Sequence, residues 1–339
     1  MLFVAIWIAE SYLYKHTHLF FRGGITKGLY YHKDSTAFGP AVVNSYRLEN
    51  QAVYSRILIE DEIVSTMDEI PFTITMDVDG KYCFVYSSEH NHDLCYAMAD
   101  SPKGPFTYGG VLVDIGDLYL NGNEDETHAS NYLGNTHGGM LQIEDQWYIF
   151  YHRQTNRSSY ARQACAEKLE RRDDGGFQQA EITSCGLNQG ALKGIGSYEA
   201  RIACNLWSIN GTGRYDGKSP KQKLKDHPYF TQSGKDRENN GDQYIANMKN
   251  GSVAGFKYFE MGEANQIGIT IQGNAKGTMQ VSDKSDFENI CAEIEVSNRE
   301  KEMHTYKSAL NIPRGKRALF FRFQGEGTVD FHSFELMED

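Results

Sequence analysis

Residues 134–156, GNTHGGMLQIEDQWYIFYHRQTN, constrain the fold of this chain more than any other stretch. Apolar and polar or aromatic residues alternate in Met140–Ile143 and in Trp147–His152, and the polar residues Glu144–Gln146 lie between them. This pattern is typical of two antiparallel strands joined by a tight turn. The two glycines after His137 let the backbone turn closely beside that residue. The sequence therefore predicts a β-hairpin that displays one histidine at the mouth of a sheet.

Similar signals precede this hairpin. Lys81–Ser87 and Leu94–Ala99 are predicted to pair, and the turn SPKGPF leads into a third strand, Thr107–Val113. Strands that follow one another in this way are typical of one propeller blade. Short aromatic runs within 1–70 predict further antiparallel strands. The sequence thus indicates an all-β chain.

With 339 residues the chain is expected to form two domains. The first is predicted to span 1–209, with Ala180–Thr183 and Tyr198–Cys204 as its last strands. Residues 210–226, NGTGRYDGKSPKQKLKD, have few apolar residues and are predicted to be a linker. Residues 227–339 contain strand-like runs separated by turns, which predict a β-sandwich of jelly-roll type. These runs are Ile267–Ile271, Gly277–Val281, Ile290–Val296 and Ala318–Phe323.

Charge and composition narrow the classes of partner. The net charge of −11 argues against a nucleic-acid surface, because phosphate binding needs clustered basic residues. A neutral sugar polymer is compatible with the 21 tyrosines and 18 phenylalanines. The opening MLFVAIWIA lacks a basic start and is too short to span a bilayer, so we expect neither a signal peptide nor a membrane partner. The six cysteines form no CxxC pair, which favours thiols in a reducing compartment and a cytoplasmic over a secreted protein.

Several of these motifs resemble glycoside hydrolase family 43, which contains β-xylosidases and α-L-arabinofuranosidases. The similar phrases are GKYCFVYSS, LCYAMADSPKGPFTYGGVLVD, THGGM, WYIFYHRQTN and ARQACAEKLE, in that order, and they span Gly80 to about Trp207. The resemblance implies that 1–209 form a five-bladed β-propeller. Residues 1–70 match poorly, and Ser11–Tyr14 resemble an early-blade strand, so the propeller is expected to be N-terminally incomplete.

The resemblance also implies a reaction. Family 43 enzymes hydrolyse xylosides or arabinofuranosides of arabinoxylan with inversion, which requires a general acid and a general base. The general base, an Asp of the first blade, has no counterpart in this sequence. Pro71 occupies the position where the acid is expected, and Glu69 lies two residues away, so Glu69 is the candidate acid. The alternative is that Glu69 is a solvated residue beside Asp68.

Two further residues match positions that contact the sugar in this family. The resemblance places His137 at the bottom of the active-site funnel, where it implies a contact with a central calcium ion, either direct or through water. The alternative for His137 is a core histidine bonded to backbone groups. Arg162 matches an arginine that points into the sugar site, where its guanidinium can bond hydroxyl groups. Arg153 is the alternative to Arg162, and a surface ion pair is possible for either.

Residues 227–339 resemble carbohydrate-binding modules of family 6. The matching phrases are GSVAGFKYFEM and RGKRALFFRFQGEGTVDFHSFEL. Such modules grip a sugar between aromatic side chains, and Tyr306 is the candidate here, although a core or edge tyrosine is the alternative. The resemblance implies a plant cell-wall oligo- or polysaccharide as the partner, and these modules often hold a structural calcium.

Two other functions remain open at this stage. The general base has no counterpart and residues 1–70 match the family poorly, so the chain could also be a catalytically inactive fragment or a noncatalytic glycan-binding protein. The acidic run Glu124–Glu126 allows a calcium-binding protein of the cell surface, although a solvated loop is the commoner meaning of such a run.

Overall fold

The structure is a computed structural model that describes residues 76–158, 160–214, 225–234, 242–299 and 302–338. It also describes the backbone of four short strands nearer the N-terminus, namely β1 (Gly23–Ile25), β2 (Tyr31–Lys33), β3 (Thr36–Phe38) and β4 (Ile57–Ile59). The chain divides into two compact units, Met1–Ile74 and Thr75–Asp339. In the first unit β1 pairs with β4 in parallel, and β2 pairs with β3 in antiparallel orientation.

The second unit begins with a four-stranded antiparallel sheet in which each strand pairs with the next. Its strands are β5 (Met76–Val78), β6 (Lys81–Ser87), β7 (Asp93–Ala99) and β8 (Thr107–Asp114). The predicted hairpin and third strand are therefore confirmed. The turn between β7 and β8 closes with the Gly104 N–H donating to the carbonyl of Ser101 over 2.9 Å.

A three-stranded antiparallel sheet follows and contains the predicted histidine hairpin. Its strands are β9 (Gly139–Ile143), β10 (Gln146–Gln154) and β11 (Arg162–Leu169). Trp147, Ile149 and Tyr151 point from one face of β10 into a buried cluster that also takes residues from the four-stranded sheet. The alternation in the sequence therefore buries one face of the hairpin against the preceding sheet.

The remaining strands form two six-stranded sheets. One contains β12 (Leu192–Lys193), β14 (Asn205–Trp207), β17 (Val253–Met261), β19 (Ala275–Ser282), β20 (Ile290–Asn298) and β22 (Gly315–Gly327). The other contains β13 (Gly196–Glu199), β15 (Tyr229–Gln232), β16 (Gln243–Met248), β18 (Gln266–Gln272), β21 (His304–Ala309) and β23 (Val329–Met337). Both sheets contribute to one buried core that includes Phe256, Phe321 and Phe334. The four strand-like runs predicted downstream of residue 227 all lie in these strands.

The chain enters the six-stranded sheets earlier than the sequence predicted. Tyr198–Cys204 was expected in the last blade, but Tyr198 pairs with Phe334 of β23 and its ring packs on Phe259 and Phe334. That prediction is wrong because the pairing partner is more than a hundred residues away and leaves no local signal. Ala180–Thr183 forms a single bridge, Val113 with Ala180, instead of a strand. The domain boundaries at 209 and 227 stay predictions.

A buried lysine in β17 links that strand to two earlier segments, namely the loop after β8 and the segment after β11. Lys257 is 7% exposed, and its Nζ donates to Asp117 Oδ2 over 3.1 Å and to Glu181 Oε1 over 2.8 Å. Tyr258 OH donates to the same Glu181 carboxylate over 2.9 Å. Because a buried charge is tolerated only when it is paired, this network requires the loop after β8 and β17 to stay together.

Candidate active site

The loop that carries His137 lies against strand β10. Gly138 approaches the strand so closely that a Cβ atom there would lie 1.7 Å from the Phe150 carbonyl oxygen, and only glycine fits such a contact. Thr136 Oγ1 donates to the His152 carbonyl over 2.9 Å, and the His152 N–H donates back to Thr136 Oγ1 over 3.4 Å. Thr136 and Gly138 of the motif THGG therefore hold this loop against β10.

The loop is also tied to the four-stranded sheet. The Thr136 N–H donates to the Asn91 carbonyl over 2.9 Å, and Ser87 Oγ donates to the Thr136 carbonyl. At the other end of the loop, the Gln154 side chain donates to the backbone carbonyl and the side-chain oxygen of Asn135. The position of His137 is therefore set by two sheets.

His137 is half-buried, and its imidazole contacts a second one. The Nδ1 atom of His137 lies 3.1 Å from Nε2 of His152. Burial lowers the pKa of His137, and the positive charge of Arg162 lowers it further. Burial, Arg162 and His137 together lower the pKa of His152 to about 4. Both imidazoles are therefore neutral at pH 7.

Arg162 is the third member of this cluster. It begins β11, directly opposite Gln154 in β10, and its side chain is exposed. Its positive charge lowers the pKa of both imidazoles, so Arg162 lies near His137 and His152 in the structure. The contact of His137 and Arg162 with a sugar stays a prediction. A guanidinium beside neutral imidazoles offers several N–H donors to an oxygen-rich ligand.

Arg153, the alternative to Arg162, has another role. It is 6% exposed, and its guanidinium donates to the carbonyls of Ala203 and Arg201 and lies over the Phe230 ring. These contacts hold the three-stranded sheet against the segment before β14. Arg153 is therefore a structural residue in this chain.

The other two predicted site residues do not join the cluster. Glu69 lies outside the described residues. Tyr306 lies on β21, opposite Ile269, and packs partly buried against the core of the six-stranded sheets. His137 lies in the loop before the three-stranded sheet and Arg162 lies in that sheet, so Tyr306 belongs to a different part of the fold. Its role in binding sugar stays a prediction.

One strongly perturbed carboxyl group was not singled out in the sequence. Glu167 of β11 is 4% exposed and accepts hydrogen bonds from Thr183 N–H at 2.8 Å, Thr183 Oγ1 at 2.6 Å and Tyr151 OH at 3.3 Å. Burial raises its pKa to about 8 although these bonds act in the opposite direction. No motif marks this residue, because its environment depends on Thr183, which is distant in the sequence.

Two of the clefts between the described residues are large enough to hold a ligand. The larger has a volume of about 1500 Å³ and lies between the loop after β8 and the outer face of the sheet that contains β17 and β22, with Trp207 and Phe320 in its lining. The smaller has a volume of about 540 Å³ and is lined by Tyr86, Tyr108 and Asp93 among others. His137 is not among the lining residues of either cleft.

Among the residues that the structure describes, no three or more His, Cys, Asp or Glu side chains form a group that could hold a metal ion. In the same part of the chain, no helix has the length and apolar character needed to cross a lipid bilayer.

Comparison with known proteins identifies relatives of this chain. No family model matches it. A xylosidase/arabinosidase from Thermoclostridium stercorarium is 38% identical over 262 residues, which cover 76% of this chain and 54% of the relative. A family 43 arabinoxylan arabinofuranohydrolase from Bacillus subtilis, solved with cellotetraose, has a TM-score of 0.43 and 18% identity over 78% of this chain and 53% of that chain.

A third protein resembles the C-terminal part. A family 6 carbohydrate-binding module from Clostridium cellulolyticum, solved with xylose, has a TM-score of 0.34 and 11% identity over 43% of this chain and 99% of that module. The chain spans about half the length of the xylosidase/arabinosidase that it matches. The sequence motifs and this comparison agree, and the chain is a homologue of the xylosidase/arabinosidase from Thermoclostridium stercorarium.

Proposed function

We propose that this protein is a glycoside hydrolase that acts on O-glycosidic bonds of hemicellulose, namely xylosides or arabinofuranosides. The observation that carries this proposal is the 38% identity to a xylosidase/arabinosidase over 262 residues. The cluster of His137, His152 and Arg162 supports it, because neutral imidazoles and a guanidinium are suited to bonding sugar hydroxyl groups.

In the proposed reaction a carboxylic acid protonates the leaving oxygen while a carboxylate activates water on the opposite face of the sugar. We assign the acid to Glu69 and leave the base unassigned. His137 and Arg162 bind and orient the sugar. Arg162 begins β11 and its side chain is exposed, so its N–H donors are accessible to a ligand.

The proposal includes a finer description of the fold. The four-stranded and three-stranded sheets, which share one core, are proposed to be blades of a five-bladed propeller. The two six-stranded sheets, which share the other core, are proposed to form a β-sandwich that binds a plant cell-wall polysaccharide, with Tyr306 as a stacking residue.

The family resemblance implies calcium at His137, and the proposed reaction does not depend on it. The neighbours of His137 in the structure include the imidazole of His152 and the positively charged guanidinium of Arg162. Calcium prefers oxygen ligands, and a nearby cation repels it, so these two groups disfavour direct coordination.

The test compares two substrates that differ in how much they need an acid. An aryl β-xyloside has a leaving group that departs without protonation, whereas xylobiose requires it. We expect Glu69→Gln to lower kcat on xylobiose by roughly 10²- to 10⁴-fold and kcat on the aryl xyloside by less. The neighbouring variant Asp68→Asn is the control. Equal losses on both substrates would contradict the assignment of Glu69.

A second pair of variants tests the sugar contact. Arg162→Met is expected to raise KM or lower kcat/KM on aryl xyloside and aryl arabinofuranoside, whereas Arg314→Met, which removes an exposed ion pair with Glu263, should leave both unchanged. Turnover of neither substrate by the wild type, together with measurable xylan binding, would favour a noncatalytic glycan-binding protein.

A further inference from the structure

The larger of the two clefts is bounded on one side by a loop that the fold holds in place. Within the loop after β8, the Tyr119 N–H donates to the Asn123 carbonyl over 2.6 Å, and the Ser130 N–H donates to the Gly116 carbonyl over 2.9 Å. The Leu206 N–H of β14 donates to the Ser130 carbonyl over 2.9 Å, which joins the loop to a six-stranded sheet. This wall of the cleft is therefore fixed by main-chain hydrogen bonds before any ligand arrives.

The opposite wall carries a small apolar cluster on the outer face of that sheet. Val253, Phe287 and Phe320 are buried in this cluster, Trp207 and Ala318 pack partly buried against it, and it is separate from the two main cores. The ring centroids of Trp207 and Phe320 lie 6.1 Å apart. Trp207 keeps part of its surface accessible and lines the cleft, so its ring is supported by the cluster and can pack against a ligand ring.

A row of side chains leads away from Trp207 across five neighbouring strands. Trp207 lies opposite Val253, Val253 opposite Arg322, Arg322 opposite Gln280, and Gln280 opposite Glu293. Side chains that lie opposite each other share one face, and neighbouring strands are about 4.8 Å apart, so the row is roughly 19 Å long. Arg322 Nη2 donates to Gln280 Oε1 over 2.8 Å, and Gln280 Nε2 donates to Glu293 Oε1 over 2.8 Å. The aromatic surface at Trp207 therefore continues as a fixed polar track.

Charge and size narrow the class of ligand. The described residues that line the cleft include five lysine or arginine and six aspartate or glutamate side chains, and Lys257 among them is paired with Asp117 and Glu181. A lining with balanced charges does not concentrate a polyanion or a polycation. The cleft volume of about 1500 Å³ exceeds the roughly 300 to 1000 Å³ of a typical small-molecule pocket. An extended ligand that is neutral and rich in hydroxyl groups fits these properties.

We propose that this cleft binds a stretch of neutral hemicellulose chain, with Trp207 packed against a sugar ring and Arg322 bonding hydroxyl groups. The identification of the chain as hemicellulose rests on the proposed function. Asn121, an exposed amide of the loop, bonds the chain from the other wall. The site differs from the one proposed for Tyr306, because Tyr306 lies in the other six-stranded sheet. The cleft keeps a polymer on the protein while single sugar residues are removed from it.

The direct test is the binding of soluble arabinoxylan to the full chain, measured by isothermal titration calorimetry at pH 7. Trp207→Ala is expected to raise Kd by roughly three- to tenfold, and Trp207→Phe, which keeps a ring, should recover most of this loss. Asn121→Ala removes a hydrogen-bonding group from an exposed position, so it should raise Kd by a similar factor without affecting folding. The exposed Phe84 of β6 is the control, and Phe84→Ala should leave Kd unchanged. An unchanged Kd in both Trp207→Ala and Asn121→Ala, or no binding by the wild type, would overturn the proposal.

A charged polymer tests the argument from the lining. We expect no binding of polygalacturonate, because the balanced charges of the cleft do not attract a polyanion. An affinity for polygalacturonate equal to that for arabinoxylan would contradict a site for a neutral chain.

Kinetics provide a readout that a merely structural role of Trp207 would not produce. Trp207→Ala should lower kcat/KM on arabinoxylan by the factor by which it raises Kd, but it should leave kcat/KM on an aryl pentoside unchanged, because that substrate is too short to need the cleft. Equal losses on both substrates would refute a role in holding the polymer. Binding that depends on Trp207, without hydrolysis of any pentoside, would support the cleft and refute the proposed function.

Discussion

The buried carboxyl group of Glu167, between the three-stranded sheet and the segment that follows it, should make the stability of the folded chain depend on pH. Burial raises the pKa of this carboxyl group in the folded chain from its ordinary value of 4.5 to about 8. Folding therefore takes up a proton between these two pH values. The contribution of the group to stability is fully present below pH 4.5 and is lost as the pH rises towards 8.

The size of the effect follows from the shift. One pKa unit corresponds to about 1.36 kcal/mol, so complete ionisation of Glu167 should cost roughly 3 to 5 kcal/mol of unfolding free energy. Glu167→Gln keeps the shape of the side chain and an oxygen that can accept from the Thr183 N–H, but it cannot ionise. The free energy of unfolding of this variant should therefore fall less between pH 5 and pH 9 than that of the wild type.

The assay is urea denaturation at constant ionic strength, with tryptophan fluorescence as the signal, at several pH values from 5 to 9. Subtracting the variant from the wild type removes the contributions of the other titrating groups, provided that they respond equally in both proteins. The exposed Glu170 at the end of the same strand is the control, and Glu170→Gln should follow the wild type at every pH. If the difference in the free energy of unfolding between the wild type and Glu167→Gln stays constant from pH 5 to pH 9, the reasoning is refuted.

Three further outcomes are expected. Gly138→Ala should lower stability by at least about 1 to 3 kcal/mol because its Cβ would meet the Phe150 carbonyl, whereas Gly139→Ala, with no atom within 4 Å of its Cβ, should be tolerated; equal effects in chemical denaturation would contradict this. Lys257→Met should cost roughly 3 to 5 kcal/mol by leaving Asp117 buried without its cation, and adding Asp117→Asn should recover much of that loss in a double-mutant cycle. Treatment with EDTA should change hydrolysis of an aryl pentoside by less than about twofold, because the candidate site offers nitrogen groups and a cation to a metal that prefers oxygen, and a loss that calcium restores would contradict this.

The local strand pattern could be predicted from the sequence. The hairpin with His137, the strands of the preceding sheet and the strands downstream of residue 227 all have alternation and turn residues within a few positions of each other. The family motifs placed His137 and Arg162 at one site. In the structure His137 lies in the loop before β9 and Arg162 begins β11 of the same sheet, and their contact with a sugar stays a prediction.

Long-range pairing could not be predicted in the same way. Tyr198 carries a strand-like pattern that suits either group of sheets, and its position depends on Phe334. The ion pairs of Lys257 likewise depend on residues far away in the sequence. His152 was part of a recognised motif, but its contact with the His137 side chain could not be read from that motif. Periodicity reports which face is buried, but it does not report which partner covers that face.

The configuration of the first sugar released tests the central claim most directly. Hydrolysis of an aryl β-xyloside and an aryl α-L-arabinofuranoside by the wild-type chain is followed by proton NMR from the first minutes of the reaction. We predict that at least one substrate is hydrolysed and that the anomer formed first has the configuration opposite to that of the substrate. Release with the configuration of the substrate, or no release from either substrate, would contradict the account.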